Sequence, residues 1–420
     1  MGFASTYLSE RALFPEIIKE APDKGTGIIV VVPSYNEPGI RKLFDSLIQC
    51  REPECKVEVI IVVNAPGNAS REVLENNKKT INDIESWKKE NKNCFFRLFP
   101  FVAGRADVDH WGVGLARKTG MDEAVRRFNK INKPEGIILN LDADCLVEQN
   151  YFIAVYDGFK GKNDRTACSI YFEHPLSGNE FPKNIYRYIT LYELHLRYYF
   201  QGLAFSGFPY VFHTVGSAIA VKALQYVKAG GMNRRQAGED FYFIQKLVPS
   251  GGYFNLNSTS VYPSPRPSFR VPFGTGASIE KLAADDSTTF YTYNFLAFKE
   301  LRYIFGITEE LFNCSPEELY SRYELFPPGL KSFIDAKEWS EKMMEIKNNT
   351  SGFPSFRKRF FGWFNMFRIV KYLNTVHNGI FEKKPVDVSA YELLENSGII
   401  TGSKDPHDLL LCYREMEKKS

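Results

Sequence analysis

Apolar runs and amphipathic stretches alternate through the first third of the chain. Gly27 to Val32 is a β-branched run that predicts a buried strand. It leads into Pro33-Ser34-Tyr35-Asn36-Glu37-Pro38, after which Ile40, Leu43, Phe44, Leu47 and Ile48 share one helical face. Val57 to Val63 repeats the strand pattern and breaks at Asn64-Ala65-Pro66-Gly67-Asn68. From Ser70 to Trp87, Val73, Leu74, Ile81, Ile84 and Trp87 recur at helical spacing in a charged background, which predicts an exposed amphipathic helix. Cys94 to Phe99 reads as a third strand, Leu115 to about Phe128 as a helix, and the apolar run from Ile137 as a fourth strand. Strands and helices alternating at this spacing predict an α/β architecture, a mainly parallel sheet with helices on both faces. Ligands in such sheets collect at the carboxyl ends of the strands.

After Asp144 the alternation loosens. Helices are expected over Tyr151–Phe159, Tyr186–Phe205, Ala223–Lys228 and from Gly238 to Leu247; strands are expected over Thr166–Phe172, Val215–Val221 and Tyr253–Val261. Residues 263–276 hold four prolines and two glycines and read as an irregular boundary loop. Beyond about residue 285 the pattern is helical and polar. The expected division is an N-terminal extension over 1–26, a catalytic-type α/β domain over 27–270, and a mostly helical region over 271–420 that lines an acceptor or packs onto the domain.

Two carboxylates, Asp142 and Asp144, end the fourth apolar run with one small residue between them. Alternation along a strand would put them on one side where the strand gives out. Such a pair serves turns and caps, or it binds a cation, and hard oxygen ligands suit Mg2+ or Mn2+. Asp107-Val108-Asp109-His110 has similar letters but lacks the preceding strand, so it is not taken as a ligand cluster.

Composition changes this picture little. In 420 residues, 44% hydrophobic and 25% charged with a net charge of +3, nothing argues for a nucleic-acid partner. Seven cysteines without metal-type spacing favour free thiols in a reducing compartment, and the N-terminus carries no secretory pattern. No run reaches the ~18 to 20 apolar residues of a membrane span, so a cytoplasmic protein is expected. Aromatic content is high, 35 Phe and 23 Tyr. Arg357 to Tyr372 interleaves basic and aromatic residues; as a helix it suits either core packing, the preferred reading, or peripheral contact with an anionic membrane.

Three separated pieces then match one family in order. Val30-Val31-Val32-Pro33-Ser34-Tyr35-Asn36-Glu37, Asp142-Ala143-Asp144, and Gly230-Gly231-Met232 with Gly238-Glu239-Asp240 resemble the family 2 glycosyltransferases of the GT-A fold. Gly112 to Lys118 looks like the family's glycine and basic segment before its metal motif. The resemblance covers about residues 27–262 and implies a Rossmann-like sheet with a helical C-terminal extension. It implies transfer of a sugar from a nucleoside-diphosphate donor to an acceptor hydroxyl, with inversion.

In that scheme Pro33, Tyr35 and Glu37 belong to the base-binding loop, and Asn64 stands where the family often has an aspartate that reads the base. An amide both donates and accepts, so Asn64 leaves the base open. Arg117 and Lys118 near a helix start face the diphosphate, and Arg266 is a further phosphate candidate with Arg270. Asp144 holds the metal, and Asp142 contacts ribose or a metal-bound water. Asp240 is the general base, with Glu239 as its alternate; carboxylates in a first helical turn also simply suit the macrodipole. No histidine follows the final strand, where the family often has a further metal ligand. The partners implied are a nucleotide-sugar donor and a carbohydrate or lipid-linked acceptor, as in cell-envelope polysaccharide or glycolipid synthesis. A sugar nucleotidyltransferase or a non-catalytic binding protein of the same fold are the competing readings. The first would carry a Gly-rich basic loop after the first strand, where this chain has Pro-Ser-Tyr-Asn-Glu-Pro; the intact Asp142, Asp144 and Asp240 oppose the second.

Overall fold

The computed structural model describes residues 2–103, 111–235, 238–268, 274–285 and 287–419. Asp107, Asp109, His110 and Arg270 lie outside them.

In chain order the elements of the first part are α1 (Ser5–Glu10), β1 (Thr26–Ser34), α2 (Ile40–Ile48), β2 (Lys56–Asn64), α3 (Arg71–Glu90), β3 (Phe96–Ala103) and α4 (Val113–Lys130). β4 (Ile137–Asn140), β5 (Leu146–Val147), α5 (Tyr151–Phe159), β6 (Ala167–Phe172), α6 (Lys183–Phe205) and β7 (Ile219–Lys222) follow. Then come α7 (Ala223–Lys228), α8 (Glu239–Leu247), β8 (Tyr253–Tyr262) and α9 (Thr275–Ala284). Eight strands form one sheet in the order β3-β2-β1-β4-β7-β6-β8-β5. The first four are mutually parallel, as the alternating pattern requires; β7 then runs antiparallel to β4. Every residue of β1 is buried, which is why that run lacks polar alternation.

The chain divides into two compact units. One comprises Met1–Tyr186, Phe212–Lys281 and Glu417–Ser420; the other comprises Arg187–Val211 and Leu282–Met416. These limits differ from the sequence-based 27–270 and 271–420 in two ways. Residues 187–211 belong with the C-terminal helices, and the first 26 residues belong to the sheet-containing unit.

The reason for the second difference is α4, which is buried around most of its circumference. One side packs on β1 and β2, and the N-terminal segment lies along another. Asn129 accepts from the Ala4 N–H at 2.9 Å, Glu123 accepts from the Ile18 N–H at 3.0 Å, and Arg126 donates to the Phe14 carbonyl at 2.9 Å. The Tyr7 hydroxyl donates to Asp122 at 2.7 Å, Tyr226 donates to the same oxygen at 2.8 Å, and the Lys118 ammonium sits 2.9 Å from the other. Arg127 forks onto Glu58 of β2, so a charge within a central strand is satisfied by the overlying helix.

The second unit carries helices α10 (Phe295–Gly306) through α18 (Pro406–Lys419) and a two-strand ladder, β9 (Tyr291–Thr292) with β10 (Lys384–Pro385). The basic aromatic stretch is two helices rather than one, Phe353–Trp363 and Met366–Val376, broken where the Asn365 side chain caps the second by accepting the Arg368 N–H at 3.2 Å. Phe356, Phe360, Phe361 and Phe364 are buried against partners such as Phe305 and Phe208, while Arg357, Lys358 and Arg359 face solvent. The aromatic face is therefore spent on core packing. No helix of the described residues is long and apolar enough to cross a membrane.

Candidate active site

β4 ends at Asn140, before either aspartate. The Leu141 N–H still donates to the Val31 carbonyl at 3.1 Å, and a turn closes from the Cys145 N–H to the Asp142 carbonyl at 3.1 Å. The two carboxylates thus sit on a turn at the strand's carboxyl end, not on one side of a strand, and each meets a different arginine. Asp142 and Asp144 are 35% and 32% exposed at their side chains.

Arg117 lies in the second turn of α4, the helix that starts where the parallel strands end. Its guanidinium donates to Asp142 Oδ1 at 2.5 Å and, through the other terminal nitrogen, to Glu239 Oε1. Gly216 makes the space: a Cβ there would run into the guanidinium. Glu239 opens α8 directly after Gly238, whose φ of 71° suits glycine. Asp240 is next along, partly exposed, with Oδ1 accepting the Phe241 N–H at 2.7 Å.

The electrostatics follow from burial. Burial alone would lower the Arg117 pKa, but Asp142, Glu239 and Asp240 outweigh it and hold the guanidinium charged. Burial pushes the Glu239 carboxyl up to about 7, with Arg117 opposing and Asp240 adding to the rise. Asp240 is raised by the same cause, again against Arg117. Two adjacent carboxyls facing one cation titrate as a pair.

The loop after β1 is held by α3. Asn36 takes φ 49°, its N–H donates to Asn77 Oδ1 at 3.0 Å, and Asn76 Nδ2 donates to its side-chain oxygen at 2.8 Å. Asn77 Nδ2 donates to the Asn64 carbonyl at 2.9 Å, tying the end of β2 to the same loop, and the Thr80 hydroxyl donates to the Glu37 carbonyl at 3.0 Å. Pro33 is buried within β1, Tyr35 is partly exposed just beyond it, and Asn64 is buried at the end of β2. Glu37 Oε1 accepts the Gly39 N–H at 3.1 Å. Arg266 Nη1 donates to Glu37 at 3.1 Å, and its Nη2 reaches both Glu37 and, at 3.0 Å, Asp144.

The structure therefore brings Arg117, Asp142 and Glu239 into one ionic cluster, with Asp240 adjoining, and Glu37, Asp144 and Arg266 into another. Lys118 joins neither. Buried with Asp122 and Tyr7, it anchors α1, so the expected phosphate contact is not available to it as packed. Asn76, Asn77 and Thr80 were not singled out from sequence. The signal was present, because Asn77 and Thr80 lie on the buried stripe that continues through Ile84 and Trp87.

Two partly exposed carboxylates beside arginines fit a hard divalent cation that takes its other ligands from phosphate and water, the usual arrangement for Mg2+. Among the described residues no three metal-type ligand atoms gather at this turn. The group that does is Asp405, His407 and Asp408, exposed at the start of α18.

Two family profiles match the sequence. Glycosyl transferase family 2 covers residues 29–222, and Glycosyl transferase family group 2 covers residues 137–328. A search of curated proteins finds no match. Among solved structures, S. aureus TarS 1-349 in complex with UDP-GlcNAc is 13% identical, with a TM-score of 0.41 over 81% of this chain and 93% of that one. The mannosyltransferase PcManGT from Pyrobaculum calidifontis, in complex with GDP-Man and Mn2+, is 12% identical, with a TM-score of 0.35 over 99% of this chain and 92% of that one. The two profiles overlap across β4 and the turn bearing Asp142 and Asp144, and together they run from the first strand of the sheet into the helical unit. The two profiles together span residues 29–328, well over half of the chain, and by them the chain belongs to the family 2 glycosyltransferases.

Proposed function

We propose that this glycosyltransferase moves a sugar from a nucleoside-diphosphate donor to an acceptor hydroxyl, with inversion at the anomeric carbon. The observation that carries the reading is Arg117, whose guanidinium joins Asp142 at the end of β4 to Glu239 at the start of α8. Residues about a hundred positions apart thereby form one acidic, cation-bearing site at the carboxyl end of the parallel strands, where ligands of such sheets bind.

The loop from Pro33 to Glu37 and the end of β2 at Asn64 border the nucleobase, with Tyr35 available to its face. Asp144 and Asp142 would hold Mn2+ or Mg2+, which when bound supplies positive charge to the leaving diphosphate. Arg266 adds a planar cation suited to phosphate oxygens. Asp240, more exposed than Glu239, takes the proton from the acceptor hydroxyl. The hydroxyl oxygen bonds to the anomeric carbon as the bond to the diphosphate oxygen breaks, and the electron pair leaves with the nucleoside diphosphate. Glu239 orients the Arg117 guanidinium, and the positive charge of Arg117 favours the ionised form of Asp240. The acceptor is a carbohydrate or a lipid-linked sugar, and the thiol content favours a cytoplasmic site of action.

A panel of nucleotide sugars, each with Mn2+ or Mg2+ and with chelator, tests this by the nucleoside diphosphate released. Metal-dependent release from at least one donor is expected. Release of pyrophosphate, or of nothing from any donor, would contradict it.

A further inference from the structure

Glu37 and Asp144 are separated by more than a hundred residues, yet one guanidinium holds both. Strand pairing explains how. β5 follows Asp144 directly and pairs antiparallel with the end of β8, Leu146 opposite Tyr262, so the chain leaving β8 passes beside the aspartate turn and delivers Arg266 four residues later. The fork rests on Glu37, and one terminal nitrogen is shared with Asp144. The two carboxylates are not equivalent partners. Glu37 is 2% exposed and is further fixed by the Gly39 N–H and, at its carbonyl, by Thr80. Asp144 sits on a turn with a third of its side chain in solvent.

We propose that Arg266 is an exchangeable counter-ion that makes metal binding and nucleotide binding depend on each other. This rests on the reading that Asp144 takes the divalent cation and that the diphosphate lies over the end of β4. Without nucleotide, the guanidinium neutralises Asp144. A cation arriving alone has to take Asp144 from it and then sits close to a guanidinium that keeps Glu37 but has lost Asp144 as a counter-charge. A diphosphate removes that conflict. Arg266 keeps its fork on Glu37 and transfers its third hydrogen bond from Asp144 Oδ2 to a phosphate oxygen, an acceptor that matches guanidinium geometry equally well. Each ligand thus creates the other's partner. The resulting coupling is the same in both directions, and couplings of this kind are typically about 5- to 150-fold.

The experiment is calorimetric titration of Mn2+ into the full chain, alone and with saturating UDP or GDP, for the wild type, Arg266→Gln and Arg266→Lys. The expected result is that the wild type binds Mn2+ weakly alone and at least about 5-fold more tightly with the diphosphate. Arg266→Gln should bind Mn2+ alone more tightly than the wild type and lose most of the gain, while Arg266→Lys keeps part of it because the charge remains. Equal Mn2+ affinity of wild type and Arg266→Gln without nucleotide, or an undiminished gain in the variant, overturns the counter-ion role. Absence of Mn2+ binding by the wild type with either diphosphate would instead overturn the metal-site reading on which it stands. Ligand-free melting curves of the three proteins establish that each variant is folded.

Discussion

A buried guanidinium facing carboxylates from two separate motifs makes Arg117 hard to replace. With Arg117→Gln, Glu239 would keep its desolvated position without its cation, the situation in which breaking a buried pair costs about 3 to 5 kcal/mol. Urea unfolding at neutral pH should show a loss of that order, and a loss below about 1 kcal/mol would mean that Glu239 is already neutral there. The acid pair makes two opposite pH dependences. Its pKa values are raised in the native state, so its contribution to stability is fully present below the ordinary carboxylate range and fades as pH rises toward and through about 7. Transfer runs the other way, because the base has to be deprotonated, and the rate should rise with pH as Asp240, raised by burial against Arg117, ionises. Asp240→Asn is expected to bind donor nearly normally and to lose transfer by roughly 10² to 10⁴. Glu239→Gln, which preserves a hydrogen bond to Arg117, should lose less; the reverse ranking in steady-state assays would exchange the two roles. At this scale Arg117, Asp142 and Glu239, and Glu37, Asp144 and Arg266, which meet in two ionic clusters, were legible as residues to single out because residue type and order carry them. Lys118 packs away from Arg117 because neighbours on a helix point about 100° apart; Asp122, four residues on, is a local cue to its pairing, whereas Tyr7 is distant in sequence and gives none.

Among the elements, α3 is where sequence pattern and structure diverge most usefully. Reading only its apolar residues predicts an exposed amphipathic helix, and Leu74 is indeed 45% exposed. The buried stripe instead begins with Asn77 and Thr80, whose side chains hold the loop after β1 and the end of β2. Asn77→Ala removes both bonds from a buried amide. Losing that staple is worth about 1 to 3 kcal/mol, which should appear mainly as weaker nucleoside-diphosphate binding. Asn77→Asp retains the acceptor for the Asn36 N–H but not the donor to Asn64, so it should fall between the two. Nucleotide affinity unchanged in both variants would separate this loop from base binding. The N-terminal segment was legible as a segment but not as a part of the sheet-containing unit. Its hold on α4 is distributed over contacts from Ala4 to Glu20, each spaced differently in sequence, and no periodic pattern announces them.

For the whole molecule, the parallel half of the sheet was legible because continuous β-branched runs and short loops leave few alternatives. The antiparallel return through β7 and the assignment of residues 187–211 to the helical unit were not, since both depend on long-range packing. The central claim is that Asp144 holds a cation through which a nucleoside diphosphate is bound. Ligand at ~100 times its dissociation constant adds about 2.7 kcal/mol to stability, well within reach of a thermal shift. The most direct measurement is therefore the melting temperature of wild type and Asp144→Asn with UDP or GDP, in Mn2+ and in chelator. The account predicts a rise for the wild type that chelator removes and that Asp144→Asn lacks. An equal rise in both proteins, with and without chelator, would contradict it.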